Sequence, residues 1–370
     1  MNTNQFPNSP AAGDHERHMA ACLRLALRHD GLTGTNPSVG TLLVKDGVMV
    51  GKGVTARGGR PHAERKALDM AGDRARGATA YVSLEPCAHH GVTPPCAQAL
   101  IDAGVAEVFT AWTDPDNRVD GKGHAMLRAA GIVVHTGLCA EQARRNLLGY
   151  LTRKSLARPA VTLKLAVSAD GKLGRRGQEI AITGPLSRAM VHRLRASHDA
   201  ILVGRGTVEA DDPDLTCRLP GMADRSPHRF VLDARANLDP ASRLAQTARD
   251  VPVTLVTAKP TLPPELAMLG VRHGACEQHD RQIALPELLD DMAAHGITSL
   301  MVEGGAMVAQ SFLSQGLVDR IALFTSPHRL AAGQGEAIET PLAQHHLTAS
   351  FELEESLLLG PDTARFYVRK

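Results

Sequence analysis

Apolar positions along the chain fall into two rhythms that alternate from end to end. In "DHERHMAACLRLALRH" (14–29), Met19, Cys22, Leu23, Ala26 and Leu27 recur at helical spacing behind Asp14, a residue type suited to N-capping, and predict a helix. The next stretch, "TLLVKDGVMVGKGV" (41–54), reads as two strands joined at Asp46-Gly47, a dipeptide that accepts the backbone of a tight hairpin turn. Beyond it the pattern predicts a helix over 62–71, a strand over 79–86, a helix opening at Pro95, a strand over 105–112, a helix near 121–130, a strand around 132–135 and a helix over 140–154. Alternation of this kind implies a layered α/β domain.

A break falls in "KSLARPA" (154–160), where a charged helical pattern stops and a β-rich run begins. Strand-like runs follow at 199–204, 228–233, 252–257, 299–305 and 318–327, with two closing strands, "FELEESLLL" and "ARFYVR"; helical patterns near 186–196, 284–295 and 306–315 separate some of them. This half is also α/β, and no repeat period links it to the first. The expected organisation is a domain at 14–154 and a second at 158–370, behind a polar leader of about 13 residues. At 370 residues the chain exceeds what single cores usually reach, which agrees with two domains.

Composition narrows the function classes. Lys+Arg 41 nearly balance Asp+Glu 39, so no bulk charge favours nucleic acid. Aromatics are 3%, too few for base-stacking platforms. No signal-peptide pattern and no long apolar run is present, and six cysteines in a chain this long are not a disulfide framework. The expected location is a reducing cytoplasm, where thiolates remain free for metal binding or catalysis.

The first chemical constellation is "PHAERKAL" followed by "LEPCAHHGVTPPC" (84–96). One imidazole from His62 and two thiolates from Cys87 and Cys96 suit zinc, with the fourth tetrahedral position left for water. Glu64, two residues from His62 at a helix start, points away from that ligand set and is placed to shuttle protons. Zinc lowers the pKa of water from about 15.7 to about 7, a larger contribution than a positioned carboxylate makes. Cys96 in a first helical turn is expected to have a lowered pKa. An H-x-E with P-C pattern is that of zinc nucleobase deaminases, although here eight residues rather than two separate the cysteines. A structural zinc would need a fourth protein ligand, for which His89 and His90 are the nearby candidates.

A second constellation lies in the C-terminal half. "SLMVEGGAMVAQSFL" places Glu303-Gly304-Gly305 between a strand and a helix, and "LVGRGTVEADDPDLT" (202–216) places Gly-Arg-Gly-Thr after another strand; both are turns able to meet phosphate. Lys164 sits within the apolar run "TLKLAVSADGKL", where a lysine needs either an anion or an edge position in water. Asp211-Asp212-Pro213 reads as a cap or turn, or as acids near that lysine.

"NPSVG", "PHAERKAL", "LEPCAHHGVTPPC", "LKLAVSADGKL", "GRGTVEADDPDLT", "VEGGAMVAQSFL" and "LGPD", in this order, resemble the RibD family of riboflavin biosynthesis over nearly the whole chain. The resemblance implies a cytidine-deaminase-like three-layer domain followed by a dihydrofolate-reductase-like domain. It implies a zinc deaminase, acting on 2,5-diamino-6-(5-phosphoribosylamino)pyrimidin-4(3H)-one, joined to an NADPH-dependent reductase that converts the ribosyl C1′ to a ribityl chain.

By the same resemblance, His62, Cys87 and Cys96 are zinc ligands, Glu64 is the proton donor and Asn36 contacts the ribose. Lys164 and Glu303 carry the reduction, and Arg195, Leu215, Arg218 and Glu303 contact substrate. Ala166, Thr207, Asp211, Gly305, Ala306, Met307, Val308, Ala309, Gln310 and Ser311 are implied NADPH positions, with Arg205 a candidate for the 2′-phosphate. Three positions depart from the family pattern: Val92 stands where a basic residue would meet the substrate phosphate, Ala181 replaces a tryptophan near the cofactor, and Glu179 replaces a serine near substrate. The expected partner is a phosphorylated small molecule, with no nucleic acid and no membrane, and the chain is expected to form a homo-oligomer, a dimer or tetramer. The competing readings are a zinc deaminase of another base or tRNA with a non-reductase C-terminal half, and a zinc-stabilised binding module.

Overall fold

The computed structural model describes residues 12–91, 94–175, 180–279, 282–330, 336–342 and 344–370. It divides the chain into two compact units, Met1–Leu156 and Ala157–Lys370. The expected leader falls almost entirely outside the described residues, as do Val92 and Glu179.

The first unit runs α1 (Ala12–Ala26), β1 (Gly40–Lys45), β2 (Val48–Val54), α2 (Ala63–Ala71), β3 (Thr79–Val82), α3 (Cys96–Asp102), β4 (Glu107–Thr110), α4 (Lys122–Ala129), β5 (Val133–Thr136), α5 (Ala140–Asn146) and α6 (Leu148–Leu156). The helix expected over 140–154 is two helices, interrupted at Leu147 (φ −94°, ψ 5°), whose buried side chain anchors the break in the core. The five strands lie in the order β2-β1-β3-β4-β5, with β1 antiparallel to both neighbours and β3, β4 and β5 parallel. The Asp46-Gly47 hairpin forms as expected, both residues having positive φ.

Two glycines of β2 set how closely α2 approaches the sheet. A Cβ on Gly51 would lie 2.3 Å from the carbonyl oxygen of Ala67, and one on Gly53 would lie 2.0 Å from that of Ala63. The helix that carries Glu64, and follows directly on His62, therefore rests on bare backbone.

The second unit runs β6 (Ala160–Val167), β7 (Lys172–Arg175), α7 (Pro185–Ala196), β8 (Ala200–Gly204), α8 (Arg205–Asp211), β9 (His228–Leu232), α9 (Arg243–Gln246), β10 (Val253–Thr257), α10 (Pro264–Met268), β11 (Arg272–Ala275), β12 (Gln278–His279), β13 (Gln282–Ile283), α11 (Leu285–Ala294), β14 (Ser299–Val302), α12 (Ala306–Ser314), β15 (Arg320–Thr325), β16 (Ala337–Glu339), α13 (Gln344–Ser350), β17 (Phe351–Leu359) and β18 (Asp362–Arg369). Among the described residues its main sheet has nine strands, ordered β11-β10-β9-β8-β14-β6-β15-β18-β17. From β11 to β15 neighbouring strands are parallel, and the closing hairpin β17–β18 is antiparallel. The central strands β8 and β14 are almost wholly buried, as strands covered on both faces must be. The carboxyl ends of the adjacent parallel strands β8, β14 and β6 open together, which is where α/β sheets form ligand crevices.

Candidate active sites

His62 is the residue before α2, and Cys96 is the first residue of α3. Cys87 enters from the loop after β3. The His62 Nδ1 atom lies 3.7 Å from Cys87 Sγ and 3.3 Å from Cys96 Sγ, and all three donor atoms fall within 4.8 Å of one another. A tetrahedral zinc with one nitrogen and two sulfur ligands separates its donors by about 3.6 Å, so this donor set fits the ion. No fourth His, Cys, Asp or Glu joins the group among the described residues, so neither His89 nor His90 supplies the ligand that a structural zinc would require.

Without a metal ion, the two neighbouring sulfurs divide one negative charge unevenly. The Cys96 amide donates to the Cys87 sulfur at 3.3 Å. The neighbouring Cys96 thiol, and His62 behind it, lower the Cys87 thiol to about 4, while Cys96 itself is raised by Cys87 and by burial. Glu64 is 4% exposed; burial pushes its carboxyl up to about 7, the Cys87 charge adds to the rise and His62 opposes it. A carboxyl so placed can hold or release a proton near neutrality. The NPSVG residue Asn36 lies against Gly59, where a Cβ would come within 2.2 Å of the Asn36 amide nitrogen.

Sequence reasoning missed the residue that frames this loop. Glu85 is buried, and its carboxylate accepts four backbone N–H groups: Gly123 at 2.9 Å and His124 at 3.2 Å on Oε1, Gly121 at 3.0 Å and Asp114 at 3.2 Å on Oε2. Gly123 also packs so tightly that a Cβ there would meet the Pro86 carbonyl oxygen at 2.0 Å. The segment after β4 is tied down in turn by Tyr150 Oη donating to Asp114 at 2.8 Å and by Lys154 Nζ donating to Asp116 at 2.6 Å. Glu85-Pro86-Cys87 thereby inherits the position of a segment about 30 residues away. The cue in the sequence is a carboxylate at the end of an apolar strand, which burial makes costly without donors.

In the second unit, Lys164 finds its anion within the protein. Lys164 Nζ donates to Glu303 Oε1 at 3.2 Å, and Arg195 donates to the same carboxylate through Nε and Nη2, each at 3.0 Å. The three side chains are 16%, 10% and 15% exposed for Lys164, Arg195 and Glu303. Burial alone would raise the Glu303 carboxyl, but the two cations outweigh it and hold it below the usual carboxylate range. The acid beside Lys164 is therefore Glu303; Asp212 instead takes a left-handed backbone at the end of α8 and accepts the Arg243 amide at 2.8 Å.

Leu215 is buried with φ +55°, and the carbonyls on either side of it are gripped, Asp214 by Arg229 and Thr216 by Arg195, each at 3.1 Å. Arg218 pairs with Asp214 at 2.8 Å. The Gly-Arg-Gly-Thr stretch expected as a turn is instead the start of helix α8, capped by Gly204. Thr207 Oγ1 in that helix accepts the Gly305 amide at 3.0 Å, and a Cβ on Gly204 would strike Val308 at 2.8 Å. These contacts bring the segments after β8 and β14 together, with Thr207, Gly305 and Val308 side by side. Arg205 lies 3.4 Å from Glu209 and 3.9 Å from Asp233. Met307 is 82% exposed at the start of α12, Ala166 lies on β6 two residues beyond Lys164, and Ala181 is exposed.

Comparison with known proteins finds matches to both units. The profile of the RibD C-terminal domain matches residues 159–364, and that of the cytidine and deoxycytidylate deaminase zinc-binding region matches residues 12–112. The riboflavin biosynthesis protein RibD of Escherichia coli (strain K12) is 38% identical over 360 residues, covering 94% of this chain and 97% of the relative. That of Bacillus amyloliquefaciens is 41% identical over 316 residues, 84% of each. Among solved structures, Acinetobacter baumannii RibD superposes with a TM-score of 0.84 at 34% identity, over 97% of this chain and 99% of that one. A diaminohydroxyphosphoribosylaminopyrimidine deaminase/5-amino-6-(5-phosphoribosylamino)uracil reductase from Thermotoga maritima gives 0.83 at 31%, over 97% and 99%. With a zinc-binding deaminase domain in front and an NADPH-using reductase domain behind, this chain belongs to the RibD family of bifunctional riboflavin-biosynthesis enzymes.

Proposed function

We propose that the first unit hydrolytically deaminates a diaminohydroxyphosphoribosylaminopyrimidine, and that the second reduces the resulting 5-amino-6-(5-phosphoribosylamino)uracil at the ribosyl C1′. The observation that carries the reading is the convergence of His62, Cys87 and Cys96 with a buried Glu64, in a chain similar to RibD proteins over nearly its full length. His62, Cys87 and Cys96 would hold zinc, which when bound supplies a Lewis acid that brings the pKa of water to about 7. Glu64 takes one proton from the attacking water and passes it to the ring nitrogen, then takes the remaining proton of the added hydroxyl and passes it to the departing ammonia. Asn36 orients the ribose.

In the second unit, NADPH when bound supplies the hydride. Ala166, Thr207, Asp211 and the run Gly305–Ser311 form its cradle, and Arg205 turns from Glu209 to the 2′-phosphate. Lys164 delivers a proton to the opening sugar, Glu303 holds the Lys164 ammonium and the Arg195 guanidinium in place, and Arg195, Leu215 and Arg218 fix the substrate. The functional domains are 14–154 and 158–370, the enzyme works in the cytoplasm, and it assembles as a homo-oligomer, a dimer or tetramer. No helix among the described residues is long and apolar enough to cross a membrane.

Ammonia release and NADPH absorbance, followed with purified protein and the pyrimidinone substrate, test both halves. Glu64→Gln should lower deamination by about 100-fold or more while NADPH oxidation on the uracil substrate persists. Deamination without any NADPH oxidation would sink the reductase assignment, and undiminished turnover in Glu64→Gln the deaminase mechanism.

A further inference from the structure

The loop between the two cysteines, "AHHGVTPP", contains no lysine or arginine, although the reading above requires the first unit to hold a phosphorylated substrate beside it. A phosphomonoester carries roughly −1.5 to −2 charge at neutral pH and is best met by a guanidinium, whose planar donors match its oxygens. The structure offers one from across the loop. Arg60, two residues before His62, is half-buried, with Nη2 3.1 Å and Cζ 3.9 Å from the point that a Cβ on Gly91 would occupy. Any side chain at position 91 would compete with the guanidinium for this space.

The residue before Arg60 continues the same strip. Gly59 has φ +89°, and a Cβ there would lie 2.8 Å from the Thr33 carbonyl oxygen as well as against the Asn36 amide. The adjacent residues Gly59 and Arg60 thus reach Asn36 on one side and Gly91, in the loop between the two cysteines, on the other. Arg60 follows Gly59 directly in the chain, so a sugar held by Asn36 would lie beside the segment that carries this guanidinium.

We propose that Arg60 is the phosphate-recognising residue of the deaminase site, supplying the positive charge that the loop between the two cysteines lacks. The assignment rests on the deaminase reading of the first unit. A guanidinium that only braced the loop would act through the zinc ligands, and would affect phosphorylated and unphosphorylated substrates alike.

The test is steady-state deamination of the phosphorylated substrate and of its dephosphorylated nucleoside by the full-length zinc enzyme, comparing the parent with Arg60→Gln, Arg60→Lys and the double variant Arg60→Gln/Val92→Arg. Loss of one charge-assisted phosphate contact should raise KM for the phosphorylated substrate about 10- to 100-fold. In Arg60→Gln, kcat should fall far less than KM rises, KM for the nucleoside should be unchanged, and zinc content should equal that of the parent. Arg60→Lys should recover part of the loss, and so should Val92→Arg in the Arg60→Gln background. An unchanged KM for the phosphorylated substrate, an equal rise with both substrates, or loss of zinc overturns the assignment. A parent enzyme that deaminates neither substrate overturns the deaminase reading itself, and the role of Arg60 falls with it.

Discussion

Substituting Glu85 by glutamine isolates the strut beneath the zinc loop. The change is isosteric, but it replaces one carboxylate oxygen by an NH2 group that cannot accept a hydrogen bond. Whichever oxygen is kept, two of the four amides at 2.9–3.2 Å lose their acceptor and face a donor instead. A buried N–H left without a partner costs about 1–3 kcal/mol, so the pair amounts to roughly 2–6 kcal/mol. In a unit of about 150 residues, where 1 kcal/mol shifts Tm by about 4 °C, the lower bound is a drop of about 8 °C. Calorimetry should show that drop in the transition of the first unit, and dialysis against a weak chelator should strip zinc faster than from the parent. Glu85→Asp, which keeps the charge but shortens its reach, should fall between the two. If Glu85→Gln melts within about 2 °C of the parent and keeps its zinc equally long, the four-amide clamp does not position Cys87 and the reasoning fails.

Two further outcomes follow from the second unit. Glu303→Gln leaves Lys164 and Arg195 buried without their shared anion, which should destabilise the second unit by about 3–5 kcal/mol and abolish NADPH oxidation while deamination continues; a melting temperature equal to that of the parent would refute the triad. His228 donates to or accepts from Thr254 at 2.9 Å, and burial, aided by Arg272 and Arg229, lowers its imidazole to about 4, so the folded state favours the neutral ring. That contribution is complete above the ordinary value near 6.5 and is lost as pH falls toward 4, reaching at most about 2 kcal/mol at pH 5. Denaturant titrations at pH 7 and pH 5 should show this loss in the parent and not in His228→Gln, and parallel losses in both would dismiss it.

The sequence displayed the candidate metal ligands because their spacing is local: His62 at the start of a helix, and Cys87 and Cys96 bracketing a single loop. The same holds for the Asp46-Gly47 hairpin and for the α/β alternation of both units, which need only near neighbours. What stayed hidden is non-local. The donors to Glu85 come from 29 to 39 residues further along, and Arg60 meets Gly91 only after α2 and β3 have folded between them. Lys164 announced its need for an anion, but several acids were available, and the register of β14 beside β6 is what selects Glu303 over Asp211 or Asp212. Short elements such as β7 and β16, which pair only with each other among the described residues, carry too little apolar patterning to be read in advance.

The missing side chains at Gly51 and Gly53 impose an order on how this enzyme can vary. Hydrogen atoms alone separate the hairpin from the helix above it, so a single added methyl would have to lift the imidazole and its companion carboxyl as one body. Adjustment of substrate preference is thereby channelled away from the scaffold and into the loops that adjoin it.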